Sequence, residues 1–148
     1  MLNSSVNQLE QPLGRVLSLI AKDFLELLHE KLSHIDLDRN FYALSLIGKA
    51  DGEMTQQDLA TRLDSDKVSI VRIIDYLTEK GYVIRTNHSQ DRRKYCLTLT
   101  SKAKNEIGDI ELCLKDVHTK SFQGLTDTQI EEFHKTLAII QQNIKTVK

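Results

Sequence analysis

Two β-rich runs, Tyr82-Val-Ile-Arg-Thr86 and Tyr95-Cys-Leu-Thr-Leu99, flank the polar, basic stretch His88, Gln90, Asp91, Arg92, Arg93 and Lys94. Runs of this composition around a turn-forming loop pair as a hairpin. What precedes them constrains the fold most. Thr55-Gln-Gln-Asp58 reads as a capping box with an acid in place of the usual Glu or Gln, and Leu59, Ala60 and Leu63 give the short helix it opens an inner face. After Asp64-Ser65, Asp66 can cap a second helix with Ile70, Ile73, Ile74 and Leu77 inward, and Gly81 is placed to end it. Two short helices joined by a tight turn form a helix-turn-helix, and the hairpin that follows would be its wing.

Long helices are expected elsewhere, because one proline and six glycines punctuate the whole chain. Pro12 suits a first helical turn, and Leu13, Val16, Leu17, Ile20, Phe24, Leu27, Leu28 and Leu32 follow at steps of three or four. Asp38 is a candidate cap for a helix carrying Phe41, Leu44, Leu46 and Ile47, which ends at Ala50-Asp51-Gly52. Thr100 or Ser101 opens a further helix with Ala103, Ile107, Ile110, Leu114 and Val117 in register. Thr126-Asp-Thr-Gln129 is a second capping box, and the helix after it places Ile130, Phe133, Leu137, Ile140, Ile144 and Val147 on one coiled-coil-like seam. The expected class is mainly α with a small β-wing. A winged helix-turn-helix lobe over 38–100 would sit in one domain of 1–148, with 12–35 and 101–148 as dimerisation helices. Apolar stripes at both chain ends favour a homodimer over packing within one subunit.

Composition limits the partners. With 40% hydrophobic and 28% charged residues the chain is balanced as globular proteins are, and no apolar run approaches the ~20 residues of a membrane span. No secretion signal opens the chain and Cys96 and Cys113 make no disulfide framework, so the expected location is the cytoplasm, with no membrane partner. The net charge of −1 hides a local excess: Arg62 to Lys94 is +3 and the remainder −4. Positive charge therefore concentrates on the helix-turn-helix and its wing, which points to duplex DNA.

With Ile70, Ile73, Ile74 and Leu77 inward, Lys67, Val68, Val71, Arg72 and Asp75 fall on the opposite face, which would enter the major groove. Arg72 can give two hydrogen bonds to a guanine edge or one to phosphate, and Val68 and Val71 can meet thymine methyls. Ser65, Lys67 and Ser69 occupy the N-terminal turn that meets the duplex. In the wing, Arg92 or Arg93 can enter a narrow minor groove, and His88, Gln90 and Lys94 are candidate phosphate contacts. Asp91 either orients one of the arginines or is an ordinary turn aspartate, and Arg85 at the wing base is a structural candidate.

Gln57-Asp-Leu-Ala60, Asp66-Lys-Val-Ser-Ile-Val-Arg-Ile-Ile-Asp-Tyr-Leu77, Lys80-Gly81-Tyr82-Val83 and Asp91-Arg-Arg followed by Leu97-Thr-Leu-Thr100, in this order and spacing, resemble the MarR (multiple antibiotic resistance regulator) family of winged helix-turn-helix transcriptional regulators. The resemblance spans nearly the whole chain. It implies a triangular obligate homodimer that reads a pseudo-palindromic operator, usually as a repressor released by a small phenolic or aromatic effector. The effector would bind between the first, second and fifth helices. Departures from the family pattern are Val68 and Val71, where small polar residues are common, and Ala103, where glycine is frequent. The reactive cysteine that peroxide-sensing members carry early in the first helix is missing, and Cys96 and Cys113 read as buried or inert.

His29, His34, His118 and His134 raise a metal-responsive variant of the same fold, but none are paired at a tight ligand spacing, so no metal or cofactor is expected. An enzyme reading finds no glycine-rich phosphate loop and no nucleophile beside a base. The rival from another class is a winged helix used for protein contacts.

Overall fold

A computed structural model describes residues 10–147. The described residues divide into two compact units between Lys115 and Asp116, a boundary inside one helix. The first unit holds α1 (Leu13–Lys31), α2 (Phe41–Lys49), β1 (Met54–Thr55), α3 (Gln56–Arg62), α4 (Lys67–Glu79), β2 (Val83–Asn87), β3 (Tyr95–Leu99) and most of α5 (Ser101–Ser121). The chain is mostly helical with a three-stranded antiparallel sheet in the order β1-β3-β2. The core is built where the apolar periodicity places it: Phe41, Leu44 and Ile47 from α2, Leu59 from α3, Ile70, Ile74 and Leu77 from α4, and Val83 and Leu97 from the strands are all buried. Each such large side chain contributes about 1.5–3 kcal/mol relative to exposure.

The caps are local chemistry. Thr55 and Asp58 form a reciprocal capping box on α3, with Thr55 Oγ1 accepting Asp58 N–H at 3.1 Å and Asp58 Oδ2 accepting Thr55 N–H at 2.9 Å. Asp66 Oδ1 accepts Ser69 N–H at 2.9 Å and opens α4. Both helices of the helix-turn-helix close with the same pair of backbone hydrogen bonds. At the end of α3, Ser65 N–H reaches Ala60 O and Asp64 N–H reaches Thr61 O, with Asp64 left-handed at φ +47°. At the end of α4, Tyr82 N–H reaches Leu77 O and Gly81 N–H reaches Thr78 O, with Gly81 at φ +78°. An aspartate tolerates the left-handed region better than other residues with a side chain, so the turn inside the motif needs no glycine.

Four local expectations shift. Pro12 is the N-cap of α1 rather than a residue of its first turn, and its carbonyl accepts the Arg15 and Val16 amides. Asp38 does not cap α2. It lies in a left-handed turn at φ +49°, its carbonyl accepting His29 Nε2, and Asn40 occupies the cap position. Tyr82 falls outside β2, because its amide is spent closing α4 while its carbonyl accepts Thr100 N–H. Finally, β1 was not expected: Met54 and Thr55 pair with Leu97 and Cys96, so β3 becomes the central strand.

Only Leu28 and Leu32 of the α1 stripe are buried in the single chain, while Leu13, Leu17, Ile20 and Leu27 are exposed. In the second unit, α6 (Asp127–Thr146) opens with the Thr126–Gln129 capping box and buries none of its residues. Before it, Phe122 contacts His118, Phe133 and His134, the ring centroids 5.0 to 6.3 Å apart.

Candidate nucleic-acid interface

With Ile70, Ile74 and Leu77 buried, the ~100° per residue of a helix places Val68, Arg72, Asp75 and Glu79 opposite them. All four are exposed, Val68 by 61%. Val71 is half-buried on the flank of α4 rather than outward, and Ile73 is half-buried rather than part of the core line, since each lies about a quarter-turn or less to one side of the buried line. Lys67, at the first helical position, lines a cleft with Ser65, Gln56 and Gln57, which brings the start of α3 beside the recognition helix. The sequence did not single out Gln56, which is half-buried, or Gln57, which is exposed; the capping box that places them in the first turn of α3 was the available signal. Ser69 commits its hydroxyl proton to Asp66 Oδ2 at 2.6 Å. The Ser69 hydroxyl and amide both favour the ionised Asp66 and hold its carboxyl below the usual range, so the recognition helix starts on a fixed negative charge at the positive end of its dipole. The Thr55 amide and then its hydroxyl lower Asp58 in the same way.

The wing is a five-residue ladder from Val83 opposite Leu99 to Asn87 opposite Tyr95, extended by His88 N–H to Lys94 O at 2.9 Å. At its tip, Lys94 N–H reaches Asp91 O at 3.1 Å and closes a β-turn whose two central residues are Arg92 and Arg93. Asp91 Oδ1 accepts Arg93 N–H at 3.0 Å, so of its two expected roles it takes that of the turn aspartate. His88 Nδ1 accepts both Gln90 N–H and Asp91 N–H at 3.1 Å, bracing the loop from inside, which is a different use from the phosphate contact expected of it. Gln90, Arg92, Arg93 and Lys94 are exposed. The turn thus presents two exposed arginines on a backbone tied by five hydrogen bonds. At the wing base, Arg85 Nη2 donates to Asp75 Oδ1 on α4 at 2.7 Å.

Elsewhere in the first unit, a cleft of about 380 Å³ lies between the end of α2, β3 and the first half of α5. Ile47, Gly48, Leu99 and Ile107 line it together with Lys49, Asp51, Lys104 and Glu111; α1, expected to take part in an effector pocket, does not line it. Cys96 and Cys113 are both buried and not in a disulfide. His34 approaches Asp109 of α5 at 3.7 Å, and among the described residues no three His, Cys, Asp or Glu side chains group as metal ligands. Among the same residues no helix is long and apolar enough to cross a membrane.

Two helices joined by a tight turn, a second helix with a polar outward face, and a hairpin with a basic tip define a winged helix-turn-helix protein. Residues 37–94 match the model of the MarR family. Solved structures extend the likeness over most of the chain. A MarR transcriptional regulator from Methanosarcina mazei Go1 is 26% identical, with 91% of this chain and 97% of that one covered and a TM-score of 0.70. A cysteine-to-serine variant of MarR from E. coli, complexed with operator DNA, is 26% identical over 87% of this chain and 93% of that one, with a TM-score of 0.73. A putative MarR family regulator from Listeria monocytogenes, complexed with a 26mer DNA, shares the fold at 19% identity and a TM-score of 0.75, covering 90% and 89% of the two chains.

Proposed function

We propose that this chain is a homodimeric, sequence-specific, double-stranded DNA-binding transcriptional regulator, a repressor released by a small phenolic or aromatic ligand. The observation that carries the reading is the pairing, on one lobe, of an outward helix face bearing Val68 and Arg72 with a turn that presents Arg92 and Arg93. Similar proteins have been crystallised on DNA. Arg72 would read a base edge or hold a phosphate, Val68 would meet a thymine methyl, and Lys67 and Ser65 would meet the backbone at the start of α4. The wing arginines would supply affinity and shape readout in the minor groove. Dimerisation is supported by the apolar stripes that α1 and α6 each leave exposed in the single chain, and the two α4 helices would then lie one helical turn, ~34 Å, apart on a pseudo-palindrome. For the ligand, the cleft lined by Ile47, Leu99 and Ile107 offers apolar side chains beside two lysines and two carboxylates, Asp51 and Glu111.

Selection of bound fragments from genomic DNA, followed by binding measurements on the purified protein, tests the reading. Arg92→Ala combined with Arg93→Ala should abolish operator binding while sedimentation still reports a dimer. Unchanged affinity would remove the wing from the interface, and a monomer at micromolar concentration would overturn the dimer.

A further inference from the structure

Asp75 is an odd residue for a surface that meets phosphates. It lies one turn beyond Arg72 on the outward face of α4, its side chain 61% exposed, where a free carboxylate would repel the duplex. Its partner is Arg85 of β2, ten residues on, at 2.7 Å. We propose that Asp75 and Arg85 are positioning residues for DNA recognition. The pair fixes where the wing stands relative to the recognition helix before the duplex arrives, so this carboxylate strengthens binding. The proposal rests on the DNA-binding reading above.

The geometry gives the pair leverage. Arg85 sits mid-ladder, opposite Leu97, so holding it holds the paired part of the hairpin. The tip is rigid with respect to that ladder, because His88, Asp91 and Lys94 tie it at the backbone. From Arg85 to Arg92 the strand and turn reach up to roughly 20 Å at ~3.3 Å per residue, and a tilt of about 10° at the base moves the tip by roughly 3 Å. That displacement exceeds the tolerance of a hydrogen bond. The backbone joins α4 to the wing through Gly81, left-handed at φ +78°, and Val83 and Leu97 at the hairpin base are buried in the core with Ile74 and Leu77. The ion pair adds an exposed link between helix and hairpin outside that core. Arg72 and Glu79 share the outward face of α4 with Asp75, and Glu53, Asp58, His88, Lys94 and Tyr95 line the groove at the wing base with Arg85.

Electrostatics and positioning predict opposite signs. If Asp75 acts only as a charge, Asp75→Asn tightens DNA binding; if it positions the wing, the same change weakens it. A duplex selected by the wild-type protein from a randomised library serves as the probe in fluorescence anisotropy. Asp75→Asn and Arg85→Gln should each weaken binding roughly two- to tenfold, as expected for loss of an exposed pair and of preorganisation. The double variant should bind no worse than the weaker single variant, and Asp75→Glu should recover most of the wild-type affinity. A role confined to folding would leave the preference for A·T over G·C flanks under the wing unchanged; loss of positioning reduces it. Equal or tighter binding by Asp75→Asn, additive losses in the double variant, or an unchanged flank preference overturns the proposal. Failure of the wild-type protein to select any duplex overturns the DNA-binding reading itself, and the proposal with it.

Discussion

Replacing Gly81 and Gly108 by alanine should change stability in opposite directions for one physical reason. At neither position would the new methyl meet an atom within 4 Å, so packing plays no part. Gly81 is left-handed at φ +78°, and its amide and that of Tyr82 donate the two hydrogen bonds that close α4. Its carbonyl also accepts Thr100 Oγ1 at 2.6 Å, at the start of α5. An L-residue there costs about 1–2 kcal/mol. Reduced freedom of the unfolded chain returns about 0.4–1 kcal/mol, leaving a net loss of about 1 kcal/mol. Gly108 lies within α5, where alanine is better by about 0.8–1 kcal/mol. The two variants should therefore differ by about 2 kcal/mol, or roughly 4–8 °C in Tm for a chain of this size. Urea unfolding followed by circular dichroism measures the difference, at one protein concentration, since an assembling chain gains stability by mass action. Gly81→Asn should fall between Gly81→Ala and wild type, because asparagine enters the left-handed region more readily. Movement of both alanine variants in the same direction would refute the reasoning.

At the wing tip, His88→Ala removes the acceptor of the Gln90 and Asp91 amides and should speed their hydrogen exchange, while His88→Asn keeps an acceptor and should not; equal exchange in all three proteins would remove His88 from the tip's support. Burial first, and the Glu106 carboxylate second, push the Tyr82 phenol up to about 12. The folded state thus favours the protonated phenol, so its contribution is complete below the ordinary value of 10 and is lost as pH rises towards about 12. Tyr82→Phe should flatten the alkaline fall of the urea midpoint, and an unchanged slope would place that sensitivity elsewhere. Arg72→Ala should cost about 1–3 kcal/mol at particular operator positions only; a uniform loss on random DNA would make Arg72 a phosphate contact. Replacing operator thymines one at a time by uracil should weaken the wild-type protein at a position where Val68→Ala is indifferent, and failure to find such a position would remove Val68 from base reading.

The sequence by itself determined the features that close within four or five residues. The Thr55–Asp58 and Thr126–Gln129 boxes, the Asp66 cap and the Gly81 stop need only a side chain and a nearby amide, so spacing alone specifies them. The buried lines of α2 and α4 follow from apolar periodicity in the same way. Tertiary structure decided whatever depends on a distant partner. Met54 and Thr55 form a strand only because Leu97 and Cys96 lie alongside, and two residues carry too little pattern to announce it. Asp38, a good cap by type, is drawn into a left-handed turn tied to His29. Val71 and Val68 are alike in composition, yet the packing of α4 turns one to the flank and leaves the other open. The same holds for the candidate site. The basic hairpin could be read from Asp91, Arg92 and Arg93, and the His88 brace is as local as a cap, whereas the Asp75–Arg85 pair exists only once helix and wing are brought together. Local hydrogen bonds are fixed by chain geometry over a single turn, and the rest by which surfaces are left to meet when the core closes.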